Sequence, residues 1–169
     1  TARDFAAMIR LYAALQMPDQ AKQTLDDMQK NGLQPDNVAY NMVLAVCSGQ
    51  EGADCSAMLN QMQDKDIVTY NTRLKACAKS KDVTKAFALF DEITKQKIAP
   101  TQVTFGSLLE VCTRAGDLQK GRSVLKMMDA AKVPKNAIVY TSMIRGLAQQ
   151  GQLKEAMEVF GEMKRSVEP

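Results

Sequence analysis

One pattern of about 35 residues recurs along the chain, and three of its copies are visible by eye. Residues 36–47 read DNVAYNMVLAVC, residues 66–77 read DIVTYNTRLKAC, and residues 101–112 read TQVTFGSLLEVC. An internal period of this length is the signature of repeat architectures, in which each unit contacts its neighbours. The repeat therefore constrains the fold more strongly than any single motif in the chain.

A recurring aromatic residue sets the register of the units. It occurs at Phe5, Tyr40, Tyr70, Phe105 and Tyr140. We call this residue repeat position 4, so that position 1 of each unit lies three residues earlier. The predicted repeats are then residues 2–36, 37–66, 67–101, 102–136 and 137–169, which we expect to form a single array. The second repeat is about five residues shorter than the others, and the fifth is incomplete.

Each unit carries two apolar stripes with helical spacing. Positions 4, 8 and 11 form one stripe and positions 20, 24 and 27 form the second, and both follow the i, i+4, i+7 pattern of one helix face. Gly116 and Gly151 are expected to be left-handed residues that end first helices, and Pro35 and Pro100 to end second helices. A single hairpin cannot bury both stripes, whereas stacked neighbours can. The sequence therefore predicts an all-α solenoid of tandem helix-turn-helix hairpins.

Position 20 is always small, which allows the two helices of a unit to approach closely. The residues are Ala21, Cys55, Ala86, Gly121 and Ala156. The other cysteines, Cys47, Cys77 and Cys112, share position 11. With no CxxC pair among them, all four are expected to be reduced core residues and not a disulfide framework.

Composition argues against several classes of function. The chain has 169 residues, a formal net charge of +3 and no His. The lack of His excludes Ser-His and Cys-His nucleophile pairs and most zinc sites within this chain. The paired carboxylates at 26/27, 91/92 and 158/162 fall on predicted exposed faces, so we expect no metal, no cofactor and no enzymatic activity here. No run of 18 apolar residues is present, so we expect no membrane span.

Two segments carry a family resemblance. GLQPDNVAYN at residues 32–41 and KDIVTYNT at residues 65–72 resemble the pentatricopeptide repeat, and about five units cover nearly the whole chain. The second unit, which ends MQDKD, resembles the short repeat variant of that family. The tetratricopeptide repeat is the nearest alternative, but its Trp–Leu–Gly opening is absent and its 34-residue period fits worse. Because the chain opens without Met inside a helical pattern, we expect it to be a piece of a longer protein.

The resemblance implies a right-handed superhelix that reads single-stranded RNA at about one base per repeat. In the family the reading residues are position 5 and the last residue of the unit. Position 5 is Ala6, Asn41, Asn71, Gly106 and Thr141, and the last residues are Asp36, Asp66, Thr101 and Asn136. Asn41 with Asp66 is expected to read uracil, Asn71 with Thr101 a pyrimidine, and Thr141 a purine. The remaining two pairs have no assigned base.

Stability offers an alternative explanation for the last residues of the repeats, and a weaker one for position 5. The four last residues are all good N-cap residues and directly precede a predicted helix, so capping alone accounts for them. Position 5 is harder to explain by stability. Asn, Gly and Thr there cost roughly 0.5–1 kcal/mol relative to Ala. Variation among small residues between constant neighbours favours a reading role.

The resemblance also implies that position 2 side chains of adjacent repeats sandwich each base. These residues are Arg3, Val38, Val68, Val103 and Ile138, for which ordinary packing at helix starts is the alternative. Phosphate contacts are expected from Lys75, Lys79, Arg114 and Arg145, with Arg10 on the same stripe. Because Ala45, Glu110 and Gln149 share that stripe, we expect weak binding with a shallow salt dependence. Arg73 occupies an otherwise apolar position 7, where we expect it to snorkel or to find a carboxylate.

Two classes of function follow. The first is an RNA-binding module for organellar RNA processing, editing, splicing or stabilisation, placed in mitochondria or plastids by resemblance alone. Its partners would be single-stranded RNA and other RNA-processing proteins, with no membrane and no small-molecule substrate. The second is a protein-interaction scaffold like the tetratricopeptide repeat. A third arrangement is the RNA-binding arm of a larger nuclease such as protein-only ribonuclease P.

Overall fold

The computed structural model describes residues 1–47, 58, 61, 62 and 65–166, and these contain helices joined by short turns, with no strand among them. The helices with bounds are α1 (Ala2–Ala14), α2 (Pro18–Lys30), α3 (Asn37–Cys47), α4 (Ile67–Ser80), α5 (Val83–Lys95), α6 (Gln102–Ala115), α7 (Leu118–Ala130), α8 (Ala137–Gln149) and α9 (Leu153–Ser166). The all-α prediction is confirmed. Two compact units, residues 1–76 and 77–169, make up the chain.

Left-handed residues end most of the helices. Gly116 and Gly151 have φ values of 79° and 71°, as predicted, and Gly32 has φ 73°. Four residues other than Gly adopt the same conformation, namely Gln16, Lys81, Lys97 and Lys132. At each of these ends a backbone N–H beyond the helix donates to a carbonyl in its last turn, as Val133 does to Met128 at 2.9 Å. This is the hydrogen bond of a Schellman motif.

The predicted role of the prolines is wrong. Helix α2 ends at Lys30 and α5 ends at Lys95, well before Pro35 and Pro100. The chain leaves α2 at the left-handed Gly32, and Leu33 N–H bonds to the Met28 carbonyl at 3.1 Å. The helix therefore ends by its own backbone hydrogen bonds, and the proline lies in the segment that leads to the next helix.

The first unit has its core where α1, α2 and α3 pack on one another. Its buried residues include Ile9, Ala21, Leu25, Tyr40, Val43, Leu44, Cys47, Met58 and Met62. The Tyr40 hydroxyl accepts a hydrogen bond from Gln29 Nε2 at 2.8 Å, which satisfies the polar end of the buried ring. The predicted apolar stripes of the first and second helices of a repeat thus meet in one core.

In the second unit, α6 packs on α5, α7 and α8, and α8 packs on α9. The Phe90 and Phe105 rings lie 5.4 Å apart between centroids. Position 20 is tightly packed: Ala86 is fully buried, and a Cβ at Gly121 would lie 3.5 Å from Leu109 Cδ1 on the first helix of the same repeat. The small residue at position 20 is therefore confirmed in four repeats, and Cys55 lies outside the described residues.

Cys47, Cys77 and Cys112 are buried, as the core interpretation predicts. Burial raises the pKa of the Cys112 thiol to about 12, and the nearby Asp117 carboxylate acts in the same direction. A thiol with such a pKa is protonated at neutral pH and is a poor nucleophile. These cysteines therefore act as core residues.

Candidate nucleic-acid interface

An open groove of about 610 Å³ runs between α6 and α8, the first helices of the fourth and fifth predicted repeats. The two helices pack on each other, and small residues such as Gly106 and Gly146 are among the groove's lining. Six residues singled out in the sequence line it: Val103, Gly106, Arg114, Asn136, Ile138 and Arg145. The structure thus brings together reading, sandwich and phosphate candidates from two repeats.

Gly106 and Asn136 are the predicted reading pair that lines this groove. A Cβ added to Gly106 would meet nothing within 4 Å, so the space beside it is open. Asn136 caps α8, because its Oδ1 accepts the Val139 N–H at 3.0 Å. Its Nδ2 donates to Gln102 Oε1 at 3.4 Å, and Gln102 Nε2 donates to the Pro134 carbonyl at 2.9 Å.

Gln102 is a groove residue that the sequence reasoning missed. It occupies position 1, which the family pattern does not single out. The available signal was its length and polarity, since position 1 is Ala2, Ile67 or Ala137 in three of the other repeats.

The first unit contains the predicted reading pair Asn41 and Asp66. Asn41 is only 8% exposed, and its Nδ2 donates to Asp66 Oδ1 at 3.4 Å. Asp66 also accepts from the backbone N–H and the hydroxyl of Thr69, at 2.8 and 2.9 Å. Burial alone would raise the pKa of Asp66, but these bonds from Thr69, Asn41 and the Val68 backbone outweigh it and lower the pKa. Asp66 is therefore ionised at neutral pH and acts as an acceptor.

At two of the predicted reading positions, an amide oxygen has no hydrogen-bond partner among the described residues. The Oδ1 atoms of Asn41 and Asn71 are buried and accept no hydrogen bond within the described part of the chain. A buried acceptor left unpaired costs about 1–3 kcal/mol. Stability alone therefore does not explain Asn at these positions.

The predicted caps are present at all four last residues. Asp36 Oδ1 accepts the Ala39 N–H at 2.8 Å, and Asp66, Thr101 and Asn136 make the equivalent bond. Of the other position 5 residues, Ala6 is half-buried and Thr141 is exposed. The Thr141 hydroxyl donates to the Ala137 carbonyl at 2.6 Å, which leaves its lone pairs available.

The sandwich candidates are exposed instead of packed at the helix starts. Val38, Val68 and Val103 are 51%, 52% and 53% exposed, and Ile138 is 72% exposed. Arg3 is exposed as well. Four apolar side chains at one repeat position are thus left open to solvent. The aromatic residue two positions later is buried in all four of these repeats. This exposure favours a surface role for position 2 over a packing role.

The phosphate candidates Lys75, Lys79, Arg114 and Arg145 are exposed, as is Arg10. Arg114 forms an ion pair with Glu110, with Nη2 and Oε1 2.8 Å apart, so part of its charge is already matched. The half-buried Arg73 lies with its guanidinium 5.7 Å from the Tyr70 ring centroid. Its predicted snorkelling or carboxylate contact stays a prediction.

Within the described ranges, no group of three or more His, Cys, Asp or Glu is arranged to hold a metal ion. Among the described helices, none has both the length and the apolar character needed to cross a membrane.

Comparisons with known proteins agree with the repeat pattern. A family model described as the pentacotripeptide-repeat region of PRORP matches residues 60–169, and the PPR repeat family model matches residues 5–49. A chloroplastic pentatricopeptide repeat-containing protein of Arabidopsis thaliana is 25% identical over 105 residues. That match covers 59% of this chain and 14% of the relative.

Solved structures share the fold. Maize PPR10 in complex with an 18-nt psaJ RNA element superposes with a TM-score of 0.82 at 18% identity, covering 98% of this chain and 25% of that one. The PPR domain of Arabidopsis thaliana protein-only RNase P 1 in complex with tRNA has a TM-score of 0.74 at 16% identity, covering 93% and 86% of the two chains. The fold of this chain is accordingly an all-α helical-repeat solenoid.

Proposed function

The chain belongs to the pentatricopeptide repeat family, and from this premise we propose that it binds single-stranded RNA selectively, with about one nucleotide per repeat. The observation that carries the proposal is the groove between α6 and α8. Reading, sandwich and phosphate candidates, chosen from the repeat pattern and the family resemblance, line this one groove. Its volume is in the range of pockets that hold small ligands, which leaves room for one base.

Two relatives support RNA as the ligand. Maize PPR10 was solved with an 18-nt RNA element, and the PPR domain of Arabidopsis protein-only RNase P 1 with tRNA. This chain spans about a quarter of the maize protein and 14% of the chloroplastic Arabidopsis relative. We therefore propose RNA binding for the array and assign no catalytic step to it.

The second repeat offers the clearest reading chemistry. Uracil presents an N–H donor between two carbonyl acceptors. The ionised Asp66 accepts from that N–H, directly or through water, and the Asn41 amide both donates and accepts. We propose uracil at this repeat, a pyrimidine at the repeat with Asn71 and Thr101, and a purine at Thr141.

Position 2 and the cations complete the proposed site. The exposed Val103 and Ile138 flank the groove on α6 and α8, where they would cover the two faces of one base. Arg3 would stack its guanidinium plane instead. Lys75, Lys79, Arg114 and Arg145 would contact phosphates. Four such contacts on a single strand give a shallow salt slope of about −3.

Selection from a random single-stranded RNA pool, with single-stranded DNA as the control ligand, tests the proposal. We expect RNA enrichment with uracil at a fixed position. Asn41→Ser should change the base at that position and Asn71→Ser the base at the next. Asn37→Ser is the matched control, because Asn37 is one helical turn from Asn41 but is not a reading residue. Equal binding of all pools, or unchanged selection in both reading variants, would refute selective reading.

The same experiment separates the protein-scaffold alternative. A scaffold that grips a peptide predicts no enrichment of RNA over DNA and no effect of Asn41→Ser on either. That outcome would redirect the search to protein ligands.

One observation favours a second candidate, the RNA-binding arm of a protein-only ribonuclease P. The family model for that region matches residues 60–169, and the chain covers 86% of the Arabidopsis PPR domain. Preference for precursor tRNA over unstructured RNA of equal length would support this candidate. Preference for the unstructured RNA would contradict it. In either case we propose a mitochondrial or plastid location, supported by the chloroplastic relative.

A further inference from the structure

Gln102 and Gly106 lie one turn apart on the same face of α6, since residues at i and i+4 are neighbours on a helix. Gly106 presents no side chain, and the space beside it is open. The long side chain of Gln102 reaches the last residue of the same repeat, Asn136, at 3.4 Å. Position 1 thus supplies a contact in the one repeat where position 5 has no Cβ.

The hydrogen bonds define the orientation of both amides. The Val139 N–H donates to Asn136 Oδ1 at 3.0 Å, and the Pro134 carbonyl accepts from Gln102 Nε2 at 2.9 Å. A backbone group therefore stands at each end of this series of hydrogen bonds. The Val139 N–H can only donate, and the Pro134 carbonyl can only accept. Rotating either amide by 180° would set two acceptors or two donors against each other. Asn136 Nδ2 must then face Gln102 Oε1.

The second repeat has the same arrangement with the roles exchanged. There Asn41, at position 5, donates to the last residue Asp66, also at 3.4 Å. In the fourth repeat the last residue is the donor and Gln102, at position 1, is the acceptor. In both repeats one amide of the first helix holds the last residue in place.

We propose that Gln102 is a positioning residue that holds the Asn136 amide and thereby determines which base the fourth repeat accepts. This inference rests on the proposed function. With Oδ1 used by the cap and one N–H used by Gln102, Asn136 keeps one N–H for a ligand in the groove that it lines. A donor at this place suits bases whose ring nitrogen is an acceptor on the Watson–Crick edge, namely adenine and cytosine. Uracil and guanine carry an N–H there.

Two substitutions separate positioning from simple packing. Gln102→Met keeps the length of the side chain and removes both hydrogen bonds. Gln102→Glu keeps the acceptor for Asn136 and loses only the exposed bond to Pro134. Asn37→Met is the matched control, because Asn37 holds position 1 of the second repeat, where Asn41 contacts the last residue.

The assay uses four RNAs that differ only at the nucleotide assigned to the fourth repeat. We expect the wild type to prefer adenine and cytosine over uracil and guanine there. Gln102→Met should reduce that ratio by about 3- to 10-fold, the effect of one hydrogen bond. Gln102→Glu should keep the ratio although its negative charge weakens binding to all four RNAs. An unchanged ratio in Gln102→Met, or equal losses in the Met and Glu variants, overturns the inference.

A measurement on the free protein distinguishes failure of this inference from failure of RNA binding. NMR of the Asn136 side-chain NH₂ group should show one slowly exchanging proton in the wild type and in Gln102→Glu, and none in Gln102→Met. If the wild type binds no RNA, the proposed function fails whatever this spectrum shows. If RNA binds but the Asn136 protons are the same in all three proteins, Gln102 does not position Asn136.

Discussion

Replacement of Gly106 by Ala should stabilise the protein, although Gly106 lies at a predicted reading position. The residue is inside α6, where Gly costs roughly 0.5–1 kcal/mol relative to Ala. A Cβ there would meet nothing within 4 Å, so no steric term opposes the gain. We expect Gly106→Ala to raise the free energy of unfolding by about 0.5–1 kcal/mol.

Gly146, on the opposite wall of the groove, provides the matched control. It also lies inside a helix, α8, but its added Cβ would come within 2.9 Å of Thr113 Cγ2 and 3.1 Å of Leu118 Cδ2. Forcing an extra carbon into packed surroundings costs about 1–3 kcal/mol. That cost cancels or exceeds the gain in helix propensity. We expect Gly146→Ala to be destabilising by up to about 2 kcal/mol.

Urea denaturation followed by circular dichroism at 222 nm measures both effects. With an m-value of about 2 kcal/mol per M, Gly106→Ala should raise the midpoint by roughly 0.3–0.5 M. Equal shifts for Gly106→Ala and Gly146→Ala would refute the packing assigned to the two walls. A stabilising Ala at position 5 would mean that stability does not determine the residue there.

Three further predictions concern helix ends, pH and salt. Lys132→Gly should raise the free energy of unfolding by about 0.5–1 kcal/mol, because Lys132 has φ 54°, a left-handed conformation that costs less for Gly. Lys126→Gly, inside α7, should lower it by about 1 kcal/mol. The urea midpoints of both variants test this. The pKa of Asp66 is lowered in the folded state, so its carboxylate contributes stability that is complete above its ordinary pKa of 3.8 and is lost as the pH falls through the folded-state value. The difference in unfolding free energy between wild type and Asp66→Asn should therefore be constant near pH 6 and shrink below pH 3.8, and a difference that grows with acid would contradict the hydrogen-bond network. Arg145→Gln should make the slope of log K against log salt for RNA binding shallower by about 0.7, while Arg165→Gln, outside the groove, should leave the slope unchanged.

The fold was predictable because helical periodicity alone identifies the faces that must be buried. Residues four apart lie on one side of a helix, so the aromatic at position 4 and the apolar residue at position 8 predict one core stripe. Tyr70 and Leu74 are indeed fully buried. Two such stripes per unit leave stacking of hairpins as the arrangement that covers both.

The helix ends were less predictable because backbone hydrogen bonds, and not residue type, set them. Gly116 and Gly151 were identified since Gly favours a positive φ. Lys97 and Lys132 adopt the same conformation without that preference. The hydrogen bond from Val133 N–H to the Met128 carbonyl stabilises it. Proline was a misleading signal because it follows the turn that ends the helix.

The candidate site was predictable only where it repeats. Val103 and Ile138 were predicted because the family resemblance assigns the same role to position 2 of every repeat. Gln102 was not, because its contact with Asn136 joins residues 34 apart and occurs where Gly106 leaves room. A local exception of this kind has no periodic signal. The division into five repeats and the assignment of individual bases stay predictions.

The last residue of a repeat can cap a helix and also contact a base if its side chain has two polar atoms. The bonds from the Ala39 N–H to Asp36 and from the Thr69 N–H to Asp66 both use Oδ1, so these two bonds do not involve the second carboxylate oxygen. The cap of Asn136 uses Oδ1, and its Nδ2 donates one of two N–H groups to Gln102. Each of these side chains thus has a polar atom beyond the one that caps the helix.

Thr101 has no second polar atom. Its single hydroxyl lies 3.4 Å from the Thr104 N–H and 3.2 Å from the Thr104 hydroxyl, so the cap occupies it from two directions. A base at the third repeat would have to compete with Thr104 for that oxygen. We therefore expect base discrimination to be weakest at the third repeat, and Thr101→Asp, which restores a second oxygen, to strengthen it. Affinities for RNAs varied at that nucleotide test this, and equal discrimination in Thr101→Asp and wild type would show that the last residue acts as a cap alone.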